Sequence, residues 1–131
     1  GTPTPLRRHP VNRDLRPVAT QADTDALYME NSMKVIMDLC VIPMGVGVSV
    51  SEYVVACQKI LDEAGLKTQL HAYGTNVEGE WDEVMAAVKA CHKKVHGMGA
   101  PRITTTIKMG TRVDRSQTME EKVTSVVNKM A

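Results

Sequence analysis

His92 and His96 stand four residues apart, a spacing that puts two imidazoles on one face of a helix, where they could share a metal. Zinc needs at least three protein ligands, and Cys91, the one further donor alongside, points about a hundred degrees away onto an apolar stripe. The histidines therefore read as part of a solvated helix face, and no metal is expected. Cys40, Cys57 and Cys91 are odd in number and widely spaced, and they form neither a disulfide framework nor a CxxC metal pattern. A reducing compartment follows, most simply the cytoplasm. As nucleophiles they lack a defined base: Cys40 can be matched with His71 only by assumption, and no nucleophile elbow is present. Cys57 and Cys91 fall in helix stripes and read as core.

Two glycine-bearing segments could bind small molecules. Gly45-Val46-Gly47 lies between a strand and a helix start, but it lacks the third glycine of a dinucleotide loop and the Lys-Ser/Thr of a P-loop. It reads as a turn, although the helix start after it can accept an anion. In Gly74-Thr75-Asn76-Val77-Glu78-Gly79, two glycines bracket a hydroxyl, an amide and a carboxylate. Asn and Gly do ordinary turn work there; a bare turn has no need of Glu78.

The elements that must position these groups follow from periodicity. Val35 to Ile42 reads as a strand ended by Pro43 and Gly45. Ser49 and Glu52 have capping-box spacing, opening a helix with Tyr53, Val54, Cys57, Ile60, Leu61 and Ala64 on one side and Gly65 at its end. Strands are expected at Thr68–Tyr73 and around Val77, joined by Gly74-Thr75-Asn76. A second helix starts near Trp81, with Trp81, Val84, Met85, Val88, Cys91 and Val95 on its stripe, and stops at Gly97, Gly99 and Pro101. The β-branched run within Arg102–Met109 must be a strand. Thr118 and Glu121 form a second capping box before a helix with Met119, Val123, Val126, Val127 and Met130 on one side. This order predicts an α+β, ferredoxin-like βαββαβ sandwich: one antiparallel sheet, both main helices on one face, and an extra C-terminal helix.

Strand alternation then sorts the sheet faces. Placing the more apolar sets beneath the helices leaves Asp38, Cys40, His71, Tyr73, Thr104, Thr106 and Lys108 on the uncovered face. That mixture of apolar and polar groups suits an interface or a ligand cleft. The plainer alternative is a polar face stabilised by Asp38 pairing with Lys108.

Residues 1–32 hold four of the six prolines and several arginines balanced by acids, and are read as a weakly ordered tail; whether native, a presequence or a cloning remnant stays open. Residues 33–131 are the folded domain. The whole chain of 131 residues carries 16 basic and 15 acidic groups, a balance that gives no reason to expect nucleic acid or a membrane surface as partner. No apolar run approaches the roughly 20 residues a bilayer span needs. With no Phe, one Trp, three Tyr and nine Met, the core must come from aliphatic side chains and Met. A core of that kind gains from further burial between subunits.

Val41-Ile42-Pro43-Met44-Gly45, Ser49, Gly74-Thr75 with Glu78-Gly79, and Arg102 to Lys108 followed by Arg112 together resemble the thiamine-binding protein family, over about residues 33–131. Trp81, directly after the hairpin, is most similar to the fungal members. The resemblance implies sheet-to-sheet dimers, often paired into tetramers. It also implies binding of thiamine or its hydroxymethylpyrimidine portion, without established catalysis and with no cofactor. Asp38 stands where the family places an acid, Thr75 and Glu78 match its Gly-Thr-x-x-Glu-Gly segment, and Lys108 and Arg112 match its basic pair. The expected ligand-binding residues are Asp38, Tyr73, Thr75, Glu78, Thr106 and Lys108: Tyr73 to stack on a ring, a carboxylate to meet the aminopyrimidine, and Lys108 for a phosphate. Two other functions compete: an enzyme of thiamine-related metabolism using Glu78 or Cys40, and a structural or regulatory homo-oligomer without ligand.

Overall fold

The computed structural model describes residues 1–3, 20 and 32–131. The tail expected over residues 1–32 lies almost entirely outside the described residues. From Ser32 onward the chain forms one compact unit. Its elements are β1 (Lys34–Met44), α1 (Ser51–Glu63), β2 (Lys67–His71), β3 (Gly74–Glu80), α2 (Trp81–Gly97), β4 (Arg102–Thr111) and α3 (Met119–Met130). The sheet order is β2-β3-β1-β4, with every neighbouring pair antiparallel. The β1-to-β2 connection passes over β3, and the β3-to-β4 connection passes over β1. Each carries a helix, so α1 and α2 pack on one face, as the element order predicts.

The buried face of β1 is Val35, Met37 and Leu39, at the alternation expected of a strand covered on one side. Val77 from β3, Cys57 and Leu61 from α1, and Val84, Val88, Cys91 and Val95 from α2 complete the core. Both main helices end in the same device. After α1, the N–H of Leu66 donates to the Leu61 carbonyl and that of Gly65 to Asp62; after α2, Ala100 donates to Val95 and Gly99 to His96. Gly65 and Gly99 have φ of +74° and +109°, which a residue with a Cβ adopts at a cost.

Several local expectations need correction. Pro43 does not end β1, which runs through to Met44. The hairpin turn is Ala72-Tyr73, closed by the His71–Gly74 pair, while Gly74-Thr75-Asn76 already belongs to β3. Ser49 does not cap α1: Val50 holds the cap position, and the Ser49 hydroxyl lies 3.4 Å from that of Ser51. Trp81 and Met85 are exposed rather than core, because α2 turns Val84, Ala87 and Val88 inward instead. At α3 the expected cap is present: Thr118 Oγ1 accepts from the Glu121 N–H at 3.1 Å. No helix among the described residues is long and apolar enough to cross a membrane.

Candidate functional site

A cavity of about 230 Å³ opens where β1 outruns β3. Pairing between those strands stops at Leu39–Thr75, while β1 continues to Met44 along β4 alone. The gap beside β1 is roofed by α1, through Val54, Cys57 and Leu61, and flanked by the hairpin, through Leu70, Tyr73 and Thr75. The walls are mostly apolar. Leu70, expected beneath the helices, is 60% exposed because α1 does not reach over the end of the edge strand β2. Its side chain instead borders the cavity.

Polar groups are few and placed. Thr75 Oγ1 donates to Gln58 Oε1 at 3.5 Å, and the Gln58 amide reaches Thr68 Oγ1 at 2.8 Å, tying α1 to the edge hairpin. His71 holds the hairpin to β1. The Tyr73 N–H donates to His71 Nδ1 at 3.3 Å, so the proton sits on Nε2, which donates to Asp38 Oδ1 at 2.7 Å. Gly74 permits this closure: a Cβ there would lie 2.7 Å from the Leu39 carbonyl oxygen and 3.1 Å from Asp38 Oδ1.

The expected ligand residues fall into three groups. Thr75 is buried in the cavity wall, and Tyr73, 88% exposed, stands at its rim. Asp38, Thr106 and Lys108 lie on the sheet face away from α1 and α2, with Asp38 opposite Lys108 and Thr106 opposite Cys40. Asp38 bonds to His71 rather than to Lys108. Glu78 also points to that face but is only 4% exposed, because the start of α3 covers it. Its Oε1 accepts the Met119 N–H at 2.7 Å, and its Oε2 lies 3.8 Å from Lys67 Nζ. Three residues apart on one strand, Thr75 and Glu78 open on opposite faces. Gln58, Cys57 and the β1 edge were not expected at the site. Pro43 was a signal for the last of these, since proline within a strand marks a side without a partner strand.

Other candidates are occupied. His92 bonds to Thr105 Oγ1, and His96 Nδ1 lies 2.8 Å from the Ala100 carbonyl. No cluster of three or more His, Cys, Asp or Glu suited to a metal forms among the described residues. The Cys91 thiol donates to the Cys57 carbonyl at 3.8 Å, and the hydrogen bond with Cys57 together with burial pushes it well above the ordinary thiol range. It stays protonated. Arg112 grips Asp114 through two bonds of 2.6 and 2.9 Å and Gln117 through a third, bracing the β4–α3 loop.

The family model for thiamine-binding proteins matches residues 37–127, from the middle of β1 into α3. The chain belongs to the thiamine-binding protein family. A UPF0045 protein of Synechocystis is 70% identical over 95 residues, covering 72% of this chain and 78% of that one. A fungal relative from Eremothecium gossypii is 38% identical over 102 residues, covering 77% and 97%. Among solved structures, a hypothetical protein of Methanocaldococcus jannaschii superposes with a TM-score of 0.68 at 33% identity, covering 72% of this chain and 96% of that one. A Thermotoga maritima protein, provisionally described as a thiamine biosynthesis/salvage protein, superposes at 0.61 with 25% identity, covering 71% and 98%. These thiamine-binding-family relatives share the small α+β fold, and a role connected with thiamine follows from membership.

Proposed function

We propose that this protein binds thiamine or its hydroxymethylpyrimidine portion in the cavity beside β1, without transforming it. The observation that carries the reading is an apolar cavity with few, placed polar groups in a member of this family. At about 230 Å³ it is smaller than the roughly 300–1,000 Å³ of sites that enclose a drug-sized ligand. It suits one ring, with the remainder extending past Tyr73, whose ring is free to stack on it. Asp38, joined to the cavity wall through His71, is the acid proposed to face the ligand, and Lys108, opposite Asp38 on the sheet face away from α1, is the cation proposed for a phosphorylated form.

Binding is favoured over reaction because the base nearest the cavity is engaged: both His71 nitrogens have partners, in Asp38 and the Tyr73 N–H, so His71 is not free to activate the lining cysteines Cys40 and Cys57. The test is calorimetric titration of the full chain with thiamine, its phosphates and hydroxymethylpyrimidine. Saturable heat without product, followed by chromatography of the recovered ligand, is expected. Absence of saturable binding to any of the three, or turnover of one, overturns the reading.

A further inference from the structure

Beyond Leu39 the backbone of β1 has no partner strand on its β3 side. The antiparallel register between β1 and β3 continues one pair past the strand ends, where the Trp81 N–H donates to the Met33 carbonyl at 2.8 Å. Hydrogen-bonded and non-bonded pairs alternate along such a ladder. Met33, Val35, Met37 and Leu39 therefore turn N–H and C=O toward β3, and the residues between them turn theirs toward β4. The β1–β4 register is continuous through Met44, so Val41 and Pro43 keep the first orientation. The residue that would face Val41 on β3 is Tyr73, but it lies in the turn and gives its N–H to His71. The Val41 N–H and C=O thus point into the gap, both from a residue lining the cavity, with no partner among the described residues.

Pro43 is independent support for this orientation. It stands two residues on, at the same phase, where a missing N–H breaks no ladder bond.

We infer that the Val41 N–H and C=O recognise the aminopyrimidine edge of the ligand, the N–H donating to a ring nitrogen and the carbonyl accepting from the adjacent exocyclic amine. In an extended residue these two groups point the same way, and an aminopyrimidine carries the complementary acceptor and donor side by side. An unpaired backbone donor and acceptor in an apolar wall are costly to leave dry, so a ligand that satisfies both is selected over one that satisfies neither. The inference rests on the proposed function, and it moves recognition of the ring from a carboxylate side chain to main chain. Adenine carries the same edge and is the competing source of it.

The experiment replaces Val41 by its α-hydroxy acid, an ester that removes the N–H and keeps the side chain, with Val41→Pro as a second variant and Val41→Ala as control. Each is titrated with hydroxymethylpyrimidine, thiamine and adenine after its fold is verified by circular dichroism. The ester and the proline variant are expected to lose about tenfold or more in affinity for the pyrimidine, and clearly more than the alanine variant, which trims the cavity wall but keeps the N–H. Slowed exchange of the Val41 amide proton on adding hydroxymethylpyrimidine is the second readout. Native-like affinity and unprotected exchange in a folded, ligand-binding protein overturn the inference and leave the proposed function standing. Failure of the unaltered protein to bind either pyrimidine overturns both, and tighter binding of adenine than of the pyrimidine overturns the assignment of ligand.

Discussion

Glu78 shows how one side chain's role depends on what lies over it. Its place in the Gly-Thr-x-x-Glu-Gly segment suggests a ligand contact, yet its carboxylate meets the first N–H of α3 at 2.7 Å, where a helix start favours negative charge. Glu78→Gln keeps an acceptor but loses the charge. It is expected to destabilise the domain by about 1–2 kcal/mol and to speed amide exchange at the start of α3. Denaturant titration and exchange by NMR check this; unchanged exchange in α3 combined with weakened ligand binding would return Glu78 to the ligand site.

Helix starts allow a paired comparison at the scale of elements. Thr118 and Ser49 have the same sequence signature, but only Thr118 makes the capping bond. Thr118→Ala is expected to cost about 1 kcal/mol, and Ser49→Ala less than about 0.5 kcal/mol, in parallel thermal melts. Equal losses would refute the assignment of caps. The attachment of α3 also depends on pH. Arg112 holds the Asp114 carboxyl at about 2 against an ordinary 3.8, and the hydrogen bond with Lys67 lowers Glu120. A value depressed in the folded state favours the ionised form there. The associated stabilisation is present above the ordinary value and is lost as pH falls through the depressed one. The β4–α3 loop is therefore expected to loosen as pH drops from about 4 to about 2. Exchange-resolved NMR should show this in the native protein and show it weakened in Asp114→Asn.

At the scale of the whole molecule, the sheet face away from α1 and α2 presents a mixed apolar and polar surface. Ile36, Cys40 and Ile42 lie there beside Asp38, Thr106 and Lys108, and the α3 stripe of Val123, Val126, Val127 and Met130 is exposed at 55–80%. An exposed apolar surface of this kind marks an interaction site. Self-association through this face is the proposal that fits it best. Sedimentation at micromolar concentration is expected to show a dimer or tetramer, and Val126→Lys to shift it toward smaller species if the α3 stripe takes part. A monomer across that range would leave the face to another partner.

Element order, both sheet faces of β1 and β4, and the Thr118 cap were legible in the sequence, because each depends on neighbours within a few residues. So was the family, because its motifs are local. The cavity was not. It exists because β1 is longer than β3, a comparison between strands 30 or more residues apart in sequence. Nor could sequence tell that Pro43 continues β1, since a proline ends a strand or edges one according to whether a partner lies on its N side. The burial of Glu78 and the exposure of Leu70 and Trp81 were likewise decided in three dimensions. Alternation assigns a side chain to a face, but whether a helix covers that face at that point is set by how far each helix reaches over the sheet.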